Sequence, residues 1–77
     1  MSELPILSGS EIRMALEKIG YKVVRQRGSH IRLSCLGRSS VTVPDYHDIS
    51  RGLLRKILRD VDITTEQFMD LLEKWNK

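Results

Sequence analysis

Gly28 and Ser29 stand between two short stretches of alternating residues, and this juncture constrains the chain more than any other feature. Glycine takes a positive φ at no steric cost, so Gly-Ser suits the two-residue type II′ turn of a β-hairpin. The register then follows. Arg27 faces His30, Arg25 faces Arg32, and Val24 faces Leu33. Directly opposed residues share a face of the sheet. One face is therefore Arg25, Arg27, His30, Arg32 and Ser34; the other is Val24, Gln26, Ile31, Leu33 and Cys35. The second face suits a core and the first does not. Tyr21 and Val23 fall on the basic side in this register, a misfit that marks a twist, a bulge or a partly covered region.

A second turn follows at Gly37-Arg38-Ser39. A two-residue loop would place Val41 and Val43 on the basic face. A three-residue loop sets Val41 opposite Cys35 and Val43 opposite Leu33, on the core side, and this is the expected arrangement. Pro44 ends the third strand.

Helices flank the strands. Ser8 and Glu11 have the spacing of a capping box, and Ile12, Ala15, Leu16 and Ile19 follow at helical period, which predicts a helix over about 9–19. Gly20 sits where a C′ glycine would end it. Leu54, Ile57, Leu58 and Val61 predict a second helix over about 50–61, with Arg51, Arg55 and Arg59 four residues apart along its side. Thr64 and Gln67 form another capping box. Ile63 and Phe68 staple that turn, and Phe68, Leu71, Leu72 and Trp75 give the third helix its apolar face. The expected class is α+β in two layers, α-β-β-β-α with an additional C-terminal helix. Three antiparallel strands carry the helices on their one apolar face.

The chain has 77 residues and a single cysteine, Cys35, so no internal disulfide can brace it. One domain over 1–77 with an apolar core is expected, too small for a buried dinucleotide or a second domain. The net charge of +3 is unevenly spread. From Lys18 to Arg59 there are ten basic residues and two acids, a net +8; the rest has three basic and eight acidic, a net −5. A basic middle of this kind suits a polyanion, or else is a solvated face. The first residues do not make a signal peptide and no apolar run is long enough to span a membrane, so a cytoplasmic protein is expected.

The run from Gly20 to His30 (Gly-Tyr-Lys-Val-Val-Arg-Gln-Arg-Gly-Ser-His) resembles the HicA family of bacterial toxins. Val41-Thr42-Val43-Pro44 and the run from Gly52 to Leu58 fit the same family in order and spacing, and the resemblance extends from about residue 8 to residue 72. Two positions depart from it. Leu53 stands where the family often has threonine, and Pro44-Asp45-Tyr46-His47 sets the histidine one residue beyond the family's Pro-x-His. The resemblance implies a fold similar to a double-stranded-RNA-binding domain, an endoribonuclease that cuts mRNA, and a HicB-type antitoxin as partner.

RNA cleavage needs a base for the 2′-hydroxyl proton and an acid for the leaving 5′-oxygen, and no cofactor. Histidine suits either task because its unperturbed pKa is about 6.5. With the resemblance, His30 is the expected catalytic residue and His47 the candidate second group; an arginine, a lysine or water would serve otherwise. Arg25, Arg27, Gly28, Ser29 and Arg32 are expected to hold RNA beside His30, and Arg51, Arg55 and Lys56 at the start of the second helix are expected to bind phosphate. No metal ligation is expected. Phe68 and Trp75 belong to an apolar helix face, so no base-stacking platform is evident. Three classes stay open: a nuclease, a non-catalytic RNA-binding domain of the double-stranded-RNA type, and a protein whose basic face receives an acidic partner.

Overall fold

The computed structural model describes residues 4–75, with side chains as far as Glu73. The side chain of Trp75, expected on an apolar face, lies outside the described side chains. The order is α1 (Gly9–Glu17), β1 (Lys22–Arg27), β2 (His30–Cys35), β3 (Arg38–Pro44), α2 (Arg51–Val61) and α3 (Thr65–Trp75). The strands form one antiparallel sheet in the order β1-β2-β3. This is the α-β-β-β-α arrangement of a double-stranded-RNA-binding domain, extended by a C-terminal helix. Among the described residues no helix is long and apolar enough to cross a membrane.

Local chemistry sets the helix ends. Ser8 accepts from the Glu11 N–H at 3.1 Å, and the Glu11 carboxylate accepts from the Ser8 N–H at 2.9 Å, closing the expected capping box. At the other end Gly20 donates to the Glu17 carbonyl and Tyr21 to the Leu16 carbonyl, the bond pair of a Schellman motif, with Gly20 at φ 108°. The regular helix stops at Glu17, two residues before the expected end, because that motif tightens the last turn. Asp62 ends α2 in the left-handed region at φ 62°, where the sequence offers no glycine. Thr64 and Gln67 cap α3 reciprocally, and Phe68 is fully buried beneath them.

The sheet departs from the expected register in two places, and both departures are bulges. Arg27 pairs with His30 and Arg25 with Arg32, as expected, but Leu33 pairs with Val23 and not with Val24. Val24 is the extra residue, 60% exposed, so its expected place in the core is wrong. The second turn is the two-residue Leu36-Gly37, with Cys35 opposite Arg38. A bulge in β3 then absorbs one residue and sets Val41 opposite Leu33 and Val43 opposite Ile31. The expected three-residue loop is wrong, yet its conclusion holds: both valines are buried.

Ile31, Leu33, Val41 and Val43 meet Ile12, Ala15 and Leu16 of α1, Leu54, Ile57, Leu58 and Val61 of α2, and Phe68 of α3 in one cluster. Tyr21 joins them at 2% exposure and donates its hydroxyl to the Ser39 carbonyl at 2.7 Å. Burial pushes its phenol above the ordinary value of 10.0, assisted by Cys35 and opposed by Arg38. Leu4 and Ile49 complete the core from segments without helical or strand period, and Leu7 bridges Ile49.

The start of α1 lies directly on the end of β3. Gly9 donates to the Tyr46 carbonyl at 2.9 Å, and a Cβ on Gly9 would lie 2.0 Å from the Pro44 carbonyl oxygen. That neighbour is backbone and cannot swing aside. Gly9→Ala is therefore expected to lower stability by about 1–3 kcal/mol, the usual cost of forcing atoms into a packed site. Urea unfolding measures it, and an unchanged midpoint would contradict this packing.

Candidate nucleic-acid interface on the outer face of the sheet

The helices cover the face bearing Ile31, Leu33, Val41 and Val43, so the alternate residues of β2 and β3 point to solvent. Arg25, Arg27, His30, Arg32 and Thr42 line one shallow concavity of about 390 Å³ there. The hairpin turn that aligns them has Gly28 at φ 58° and Ser29 outside the positive-φ region, as a type II′ turn requires. A Cβ on Gly28 would meet nothing within 4 Å, so this glycine serves backbone conformation and not close packing. The Ser29 carbonyl accepts from the Asp45 N–H, which ties the turn to the end of β3.

Among the described residues the His30 ring makes no hydrogen bond, and neither Arg25 nor Arg27 makes an ion pair. Arg32 donates from Nη1 to the Thr42 hydroxyl at 3.0 Å. The concavity therefore presents three guanidinium groups and one imidazole to solvent, with no carboxylate in its lining. Such a surface attracts polyanions, and phosphate oxygens accept from guanidinium in bidentate geometry.

Other expected residues lie elsewhere. His47 is 99% exposed and lines a different groove, with Ser8, Ser10, Glu11, Asp45, Tyr46 and Asp48; its Nδ1 is 3.4 Å from Asp48 Oδ1. The two histidines thus belong to separate concavities. Arg51 is half-buried, and its Nε–H donates to the Leu4 carbonyl, pinning the N-terminal segment. Lys56 pairs with Asp60 at 3.1 Å, and Arg55 is exposed. All three lie on the helical layer, away from the outer face of the sheet. Arg38 donates to the Val61 carbonyl at 2.9 Å, a cation at the C-terminal end of α2. Among the described residues no cluster of His, Cys, Asp or Glu could hold a metal ion.

Two residues of this face escaped the sequence reading. The bulge at Val24 places Lys22 opposite Ser34 and so brings it to the basic side. The misfit of Tyr21 and Val23 was the available signal. Thr42 lies between two core valines, so alternation alone turns it outward; the offset register hid that its partner is Arg32.

Comparison with protein-family models matches this chain to the HicA toxin of bacterial toxin–antitoxin systems over residues 9–63. The chain belongs to the HicA toxin family. It is the toxin of a toxin–antitoxin pair, and an antitoxin is its counterpart. Comparisons with curated proteins and with solved structures return no match. The stretch shared with HicA toxins holds the whole sheet, α1 and α2, and therefore every residue of the basic concavity.

His30 is exposed and its ring bonds to nothing in the fold, so truncating the side chain should not weaken the HicA domain. His30→Ala is expected to keep stability within about 0.5 kcal/mol of wild type. Thermal unfolding checks this; a larger loss would make His30 a structural residue.

Proposed function

We propose that this HicA toxin is a metal-independent endoribonuclease that cuts mRNA on the outer face of its sheet. The observation that carries the reading is one histidine whose ring makes no hydrogen bond, set among three arginines in a solvent-facing concavity. Arg25, Arg27 and Arg32 hold the RNA backbone, and Gly28 and Ser29 let it approach the turn. His30 serves in acid–base catalysis, taking the 2′-hydroxyl proton as that oxygen attacks the adjacent phosphorus. An acid then protonates the 5′-oxygen as its bond to phosphorus breaks. The arginines meet the charge that builds on the phosphorane oxygens. His47 lines a separate groove and is a poor fit for the acid's place; water or an arginine of the concavity fits better. Contacts from Arg55 and Lys56 would fall on a separate stretch of RNA. The antitoxin is of the HicB type and shields the toxin by covering the basic face.

A long single-stranded transcript incubated with the purified toxin in EDTA and resolved on a gel tests the reading. Wild type is expected to cut, and His30→Ala to cut slower by about 10²–10⁴-fold, the usual contribution of a positioned acid–base group. Equal cutting by both proteins would remove His30 from the chemistry. Binding without cutting by either would favour a plain RNA-binding domain.

A further inference from the structure

Arg32 is exposed, and an exposed arginine ordinarily samples many rotamers. Here it is restrained across the sheet. Thr42 lies directly opposite it in the β2–β3 register, and the Thr42 hydroxyl accepts from Arg32 Nη1 at 3.0 Å. Thr42 is itself well fixed. It is half-buried, and its chain neighbours Val41 and Val43 are locked into the core. Its β-branched side chain has few χ1 rotamers, so the hydroxyl has a defined direction. Arg32 and His30 are two residues apart on β2 and line the same concavity.

We propose that Thr42 is a positioning residue: it holds the Arg32 guanidinium beside His30 so that the remaining N–H donors meet the phosphate undergoing attack. The proposal rests on the RNA-cleaving reading above and adds a residue to it. The hydroxyl occupies one of the five guanidinium donors and leaves four for the anion. A donor oriented before the reaction stabilises developing charge without reorganising during it. The core thereby reaches the reacting phosphate through a short chain of contacts: buried valines fix Thr42, and Thr42 fixes Arg32. Thr42 does not touch the substrate in this scheme, and its effect is confined to the rate.

The test is steady-state cleavage of an RNA oligonucleotide with a single cleavage site, comparing wild type, Thr42→Val, Thr42→Ser, Arg32→Ala and the Thr42→Val/Arg32→Ala double variant. Thr42→Val keeps the shape and removes the acceptor. It is expected to lower kcat about tenfold with KM within about twofold, as when an interaction made only in the transition state is lost. Thr42→Ser restores the acceptor and should recover most of the rate. In the double variant the valine should add no loss beyond Arg32→Ala alone, because the two residues act as a unit. Unchanged kcat in Thr42→Val, or losses that multiply in the double variant, would overturn the proposal while leaving the nuclease reading intact. If wild type and His30→Ala fail alike to cut, both fall together. Matching melting temperatures of wild type and Thr42→Val exclude misfolding as the cause of a slower rate.

Discussion

The burial of four alternate residues, Ile31, Leu33, Val41 and Val43, against the helices is the constraint on which the rest of this molecule depends. A strand has a period of two, so turning these side chains inward turns their neighbours outward. In β2 those neighbours are His30, Arg32 and Ser34, and in β3 Thr42 is one of them. No residue of the outer face needs an interaction of its own to be there. Its chemistry is presented by a core that it does not join.

The two bulges protect that arrangement. A two-residue turn at Leu36-Gly37 alone would have sent Val41 and Val43 to solvent; the bulge in β3 adds the one residue that returns them. The bulge at Val24 lets Val23 pair with Leu33 while Lys22 joins the basic side. It also expels a valine, which then stands on an edge strand. Bulges and cations on an edge strand discourage pairing with another sheet. Lys22, Arg25 and Arg27 on β1 therefore disfavour edge-to-edge pairing and lend charge to the face.

Much of this was legible in the sequence, because the governing signals are local. Ser8 with Glu11 and Thr64 with Gln67 announce helix starts, Gly20 announces a stop, and Gly28-Ser29 fixes a hairpin register for its nearest pairs. The basic cluster around His30 follows from that register alone. What escaped depends on contacts far apart in the chain. Leu4 and Ile49 become core only because the fold brings their segments under the helices and sheet. Arg51 carries a charge that reads as phosphate-binding, but its guanidinium is turned to the Leu4 carbonyl. The pairing of Thr42 with Arg32 was hidden by a register offset that no local pattern reveals. The separation of His47 from His30 likewise belongs to tertiary structure.

The proposed function requires polyanion recognition on the outer face of the sheet and not on the helical layer. An amide chemical-shift titration of the His30→Ala protein with a single-stranded RNA oligonucleotide at low salt, where phosphate contacts are strongest, tests that placement directly. The largest shifts are expected in β1, β2 and at Thr42. Largest shifts along α2 around Arg55 and Lys56, with the sheet unmoved, would contradict it.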